Sequence, residues 1–411
     1  MPSNGSDGRH QTNGFSICPW MDEYETWATH NLAETCCASV SLDDLLVFAG
    51  NKDRASLIDF SQKQTYGAIR GSDALRSNIA KLYRDEESEP VSKDNILITN
   101  GAIQANFLAL YTNIARGDHV ICQYPTYQQL YSVPESFGAE VSLWRADEQN
   151  RWQVNLDDLR SLIRPNTKVI IINNPQNPTG AVMSRDVLQE IVDIARQHGI
   201  IIHSDEVYRP LFHSLQDGQE EPPSILSFNY EKTVVTSSMS KAFSLAGIRL
   251  GWIASGSRKI IEQCATARDY TLISVSQIDD RIAVCALSEP TVSNILTRNL
   301  DLARGNLDLL DGFIKEFSWA ARWVRPHAGT TAFIKFVNKD NLAIDDVEFC
   351  KRLQADCGVM FVPGSRCFGE DTNFKGYVRI GYVCERQVLI DGLKAMRKFM
   401  ADAYHSLPVA V

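Results

Sequence analysis

Seven short apolar runs recur along the chain: NILIT (95–99), HVICQY (119–124), VSLWRA (141–146), KVIIINN (168–174), GIIIHSD (199–205), TVVTSS (233–238) and GWIAS (251–255). Each is too short for a helix and most are rich in β-branched residues. Most are separated by stretches of helical length, which is the pattern of an α/β protein with a mostly parallel sheet covered on both faces. In such sheets ligands bind beyond the carboxyl ends of the strands. Other windows carry helical periodicity. CPWMDEYETWATHNLAE (18–34) spaces its aromatic and apolar residues as an arm or short helix does. SLDDLLVFAG opens on an N-cap serine, Ser41, and closes on Gly50, while the stretch after Gly71 puts Leu75, Ile79 and Leu82 on one face.

From Thr291 a long amphipathic stretch carries Ile295, Leu296, Leu300, Leu307, Leu310 and Ile314 on its apolar side. It predicts a helix leading into a second, smaller α+β unit, in which TTAFIKFV (330–337) and YVRIGYV (377–383) read as antiparallel strands and VEFCKRLQADCGV as a helix. The expected division is a flexible 1–16, an N-terminal arm at 17–50 belonging to the small domain, a large domain at 51–290, and a linking helix with the small C-terminal domain at 291–411.

Composition narrows the function. The chain has 411 residues, 44% hydrophobic and 22% charged, enough for two or three units at roughly 150 residues each. A net charge of -9 with no Lys/Arg run excludes a phosphate-neutralising nucleic-acid surface and favours small-molecule chemistry. The ten cysteines form no CxxC pair, and Cys36 and Cys37 are adjacent, a poor geometry for a mutual bridge; they read as reduced thiols of a cytoplasmic protein with no metal site. No apolar signal segment opens the chain and no run of 18 apolar residues occurs, so neither membrane insertion nor secretion is expected.

The chemically interesting residues fall at the ends of the apolar runs. After 233–238 comes Lys241, and an amine in that position, once buried, suits Schiff-base formation with an aldehyde; the alternative is a surface lysine in a serine-rich turn. After the first run, Gly101, Ala102 and Ile103 open a helix whose free amides suit a phosphate. Tyr127 follows the second run and either stacks on a planar ring or joins the core. NNPQNPTG would hold the amide of Asn177 at a fixed point. Asp205 ends an apolar strand, where a carboxylate needs a partner, and Tyr208 follows it; Ser238 and Arg249 flank Lys241. Neither GxGxxG nor GxxxxGK[ST] is present, which argues against a nucleotide-binding α/β protein.

Taken in order, TNGAIQA, YPTY, NNPQNPTG, SDEVY and SSMSKAFSLAGIRLGW resemble the class I/II aminotransferase family, the aspartate-aminotransferase-like fold type I enzymes that use pyridoxal 5'-phosphate, over about residues 55–385. The resemblance implies that Lys241 holds the cofactor and shuttles the α-proton, that Asp205 pairs with the ring nitrogen, and that Tyr208 and Asn177 bond its phenolic oxygen. It implies that Tyr127 stacks on the ring, and that Ser238, Arg249 and the backbone of Gly101, Ala102 and Ile103 cup the phosphate. Tyr66 resembles the tyrosine that reaches the neighbouring subunit's cofactor and counts with Lys241 as catalytic, implying a homodimer with shared sites; Arg379 resembles the arginine that clamps the substrate carboxylate, and with Asn177 it is assigned to substrate binding. The implied activity is amino transfer between an L-amino acid and a 2-oxo acid. Elimination or cyclisation, as in capreomycidine-synthase-like or cyclopropane-carboxylate-synthase-like branches, stays open, as does, more remotely, a non-catalytic regulator of the same fold; the acidic chain lacks the basic patches and appended DNA-binding domain of such regulators. Tyr24, Trp27, Glu34, Arg70 and Tyr270 are candidates to line the side-chain pocket, and Glu34 or Asp22 there would favour a basic substrate.

Overall fold

The structure is a computed structural model that describes residues 14, 16–84, 91–216 and 218–411. The expected flexible segment 1–16 lies almost wholly outside the described residues. All seven apolar runs form strands of one sheet: β1 (Ile96–Thr99), β2 (His119–Tyr124), β3 (Glu140–Asp147), β5 (Thr167–Asn173), β6 (Ile201–Asp205), β7 (Thr233–Ser238) and β8 (Gly251–Ala254). An eighth strand, β4 (Gln153–Val154), pairs antiparallel with β3 at the edge; two residues are too few to leave a pattern, so the seven-stranded expectation gains one. The order is β1-β8-β7-β6-β5-β2-β3-β4. The central strands β7, β6, β5, β2 and β3 run parallel, and β8 lies antiparallel between β1 and β7. Strands β2 and β7 are buried along their whole length, as parallel strands covered on both faces must be.

A second, antiparallel sheet combines β9 (Ala321–Trp323), β10 (Thr331–Phe336), β11 (Val362–Pro363) and β12 (Tyr377–Gly381) in the order β9-β10-β12-β11. The helix Thr291–Glu316, 26 residues long, precedes it and buries Ile295, Leu307, Leu310 and Ile314. The helix Asp346–Cys357 is capped by the Asp345 side chain and ends on Gly358 at φ +66°.

The N-terminal arm packs on this second unit of its own chain. Helix Ile17–Tyr24 buries Trp20, whose Nε1 donates to the Phe361 carbonyl at 2.8 Å, and His30–Asn31 pairs parallel with Val359–Met360. Ser41 caps the helix Leu42–Phe48 through a reciprocal capping box with Asp44. Helix Asp73–Lys81 buries Leu75 and Ile79 but stops before Leu82, which is half-buried. Among the described residues no helix is long and apolar enough to cross a membrane, and no His/Cys/Asp/Glu group could hold a metal ion.

Candidate active site

One cavity of about 350 Å³ opens at the carboxyl ends of β1, β2, β5, β6 and β7. The turns beyond those strands deliver Ala102, Ile103, Tyr127, Asn177, Asp205, Tyr208, Ser238, Lys241 and Arg249 to it, and β12 of the second sheet adds Arg379. Ten residues chosen from the sequence thus share one wall. Gly101 lies just behind: at φ +79° it needs no Cβ, and a Cβ there would stand 2.9 Å from Arg249 Nη2. Tyr66 is elsewhere, 76% exposed and beside Gln62, Ser72 and Gln277, so within one chain it is not part of this wall.

At one end of the cavity the helix Gly101–Asn113 begins, its first amides free. Gly251 on β8 lets that helix start lie directly against the strand, since a side chain at 251 would collide with the backbone of Gly101 and Ala102. Arg249 and the Ser238 hydroxyl, which accepts the Ser240 amide at 3.2 Å, stand beside it. Amides at a helix start, a guanidinium and a hydroxyl together are a donor set for a dianionic phosphate.

Asp205, at the end of β6, is buried, 3% exposed. Asn106 Nδ2 donates to one carboxylate oxygen at 2.9 Å and the Val207 amide to the other at 3.2 Å. Burial raises this carboxyl to about 6, with those two hydrogen bonds opposing the rise. Asn106 is itself fixed, its Oδ1 accepting Thr236 Oγ1 at 2.5 Å and facing His203 Nε2 at 3.0 Å. Burial pushes His203 down to about 3, so its imidazole is neutral. Sequence reasoning missed Asn106, although an amide in the middle of the apolar helix NGAIQANFLAL was a usable signal.

Lys241 Nζ donates to Thr35 Oγ1 at 2.6 Å and reaches Cys36 Sγ at 3.5 Å. Burial pushes the ammonium down, but attraction to Cys36, Tyr208, Glu34 and Tyr127 outweighs it and the net shift is upward. That upward pull needs ionised partners. The Cys36 thiol and the Tyr208 phenol are themselves raised by burial, and Tyr127 is pushed up to about 12. Near neutral pH these three are uncharged, and burial, the effect that favours a free amine, loses most of its opposition. Thr35 and Cys36 had no local sequence signal, being more than 200 positions from the lysine they touch.

Arg379, 4% exposed, gives Nη2 to the Ala33 carbonyl at 2.8 Å and stacks 5.5 Å over the Phe368 ring. Its Nε and the Oδ1 of Asn177 are buried without a partner among the described residues. Two orphaned polar atoms in one wall are costly unless a ligand completes them. Of the further pocket candidates only Glu34 lines the cavity. Trp27 and Tyr270 are exposed, Arg70 pairs with Glu262 at 2.5 Å, the Tyr24 ring lies tilted against Trp20 with centroids 4.4 Å apart, and Asp22 is a surface residue.

Comparison with known proteins gives a consistent picture. Residues 47–395 match the family described as aminotransferase class I and II. A PLP-dependent aminotransferase from Streptococcus suis superposes with a TM-score of 0.86 at 39% identity, covering 95% of this chain and 98% of that one. Aspartate aminotransferase of Thermotoga maritima is 28% identical over 339 residues, 82% of this chain and 83% of the relative. Capreomycidine synthase of Streptomyces vinaceus is 28% identical over 333 residues, 80% and 79% of the two chains.

Proposed function

Since the chain belongs to the aminotransferase class I and II family and is a pyridoxal-phosphate-dependent aminotransferase, we propose that it moves the amino group of an L-amino acid to a 2-oxo acid in the cavity around Lys241. The observation that carries this reading is the convergence of a half-buried lysine, a buried carboxylate and a buried arginine on one wall: Lys241, Asp205 and Arg379. When bound, the cofactor supplies an aldehyde for amine exchange and a ring that withdraws electrons from the substrate's α-carbon.

The protein's residues divide the remaining work. The amides of Gly101, Ala102 and Ile103, the Ser238 hydroxyl and Arg249 hold the phosphate. Asp205, kept in place by Asn106 and Val207, would face the ring nitrogen and favour its protonated form. Tyr208 and Asn177 would bond the ring oxygen and Tyr127 would lie against the ring, all three lining the cavity. Arg379 takes the substrate α-carboxylate through its planar fork, supplying a partner for the orphaned Nε. Lys241 Nζ, held in reach by Thr35 Oγ1 and Cys36 Sγ, would be the residue that attaches the cofactor and carries the substrate's α-proton. Tyr66, exposed here, is assigned to the phosphate of a neighbouring copy in a homodimer.

The test is absorbance of the cofactor-loaded protein with single amino acids and no keto acid. Conversion of bound cofactor to pyridoxamine phosphate by a donor supports transamination. A second reading, cyclisation or elimination, draws on the similarity to capreomycidine synthase; it is favoured if a donor instead yields ammonia or a cyclic product without pyridoxamine phosphate.

A further inference from the structure

The functional reading above, on which this inference rests, uses nearly every charged group of the cavity. Asp205, Lys241 and Arg249 serve the cofactor and Arg379 the α-carboxylate, leaving one charged side chain on the wall, Glu34. Its backbone is held firmly. The Ala33 carbonyl accepts Arg379 Nη2 at 2.8 Å, the Thr35 carbonyl accepts Thr330 Oγ1 at 2.7 Å, and the Leu32 carbonyl accepts the Gly381 amide at 2.8 Å. A side chain at 381 would collide with the Glu34 carbonyl, so Gly381 makes room for this close approach.

The Glu34 side chain, by contrast, makes no ion pair among the described residues, although its charge is felt by Lys241 and Arg379. It is exposed, and among the described residues no cation pairs with it; its side-chain partner is the Cys36 thiol at 3.8 Å. A substrate with a second carboxylate would meet no further lysine or arginine of this chain on the wall, and would face Glu34 instead. Ile17 and Met21 line the same cavity and offer an apolar surface for a methylene stem.

We infer that Glu34 selects L-amino acids whose side chain ends in a cation, a guanidinium or an ammonium, with the stem laid along Ile17 and Met21. A carboxylate fixed by its backbone and left unpaired in a partly enclosed site gains most from such a partner.

The experiment titrates cofactor-loaded enzyme with L-lysine, L-arginine, L-norleucine and L-glutamate, reading both the dissociation constant from the cofactor band and the single-turnover rate. Lysine or arginine should exceed norleucine by about 10- to 100-fold in wild type, and Glu34→Gln should cut that ratio by about tenfold or more. Glu34→Arg should move the preference toward glutamate. A ratio near one, or one that Glu34→Gln leaves intact, overturns the inference. The two readings separate cleanly: donors that all convert the cofactor without charge preference leave transamination standing alone. Cationic amino acids that bind selectively without forming pyridoxamine phosphate leave only the charge selection.

Discussion

At Asp205 a single residue couples the site to pH. Its ordinary value of 3.8 is raised to about 6 in the fold, so the folded cofactor-free chain binds this proton more tightly than the unfolded chain. The resulting stability is fully present below about pH 4 and is lost as pH rises through about 6; the gap corresponds to about 3 kcal/mol. Asp205→Asn should remove that slope. Melting of the two cofactor-free proteins should therefore diverge in the variant's favour between pH 4 and 7, and parallel curves would refute the assignment of the carboxyl. Lys241→Ala is expected to abolish the absorption of covalently held cofactor and lower turnover by at least about 10³-fold, since it removes both attachment point and proton carrier. Retention of either property would move the catalytic role to another residue.

Among elements, the segment from Ala33 to Cys36 is tied to β12, and Gly381 is the residue that permits it. Gly381→Ala should displace the segment and weaken cofactor and substrate binding together. A loss of stability of about 2 kcal/mol or more, read from denaturant unfolding, is the expected companion of that overpacking. Unchanged unfolding and binding would show that the contact relaxes freely. Gly251→Ala acts on the start of helix Gly101–Asn113 and should weaken phosphate binding selectively, visible as lower affinity for inorganic phosphate at the same site.

These glycines also mark what could be read from the sequence. The seven strands were legible because each is a short apolar run, most of them rich in β-branched residues and buried, although Glu140–Asp147 at the sheet's edge side is largely half-buried or exposed. The turns beyond them were legible because the Asn-Pro steps of 174–178 are unusual, and because Gly101 and Lys241, ambiguous when taken singly, fall with them in one order at the ends of successive strands. Strand β4 was not, being two residues long, and neither were Thr35, Cys36 and the closeness of Glu34 to Arg379. Those contacts depend on a segment whose partners are remote in the chain, and no local pattern encodes which of two chain ends will meet. Asn106 lies between the cases: its amide broke the pattern of an apolar helix, but only the fold shows that Asp205 is its partner.

For the whole molecule, Tyr66 poses the question of assembly. It is 76% exposed and outside the cavity of its own chain. Under the shared-site reading the protein sediments as a dimer, and Tyr66→Phe weakens cofactor affinity by about tenfold through one lost hydrogen bond to phosphate. A fully active monomer, or a variant with unaltered affinity, would confine the site to one chain.

The hydrogen bond between Ala33 and Arg379 spans 346 positions, and this has a consequence for the order in which the protein is made. The segment that carries Thr35, Cys36 and Glu34 is made long before β12, and although Thr35 and Cys36 also meet Lys241, its ties to Arg379 and Gly381 form only once the chain has grown past residue 381. At usual elongation rates that wait lasts roughly 20 to 70 seconds. Until then the cavity wall lacks Arg379, so a chain that ends shortly before residue 379 is without the arginine assigned to the substrate carboxylate.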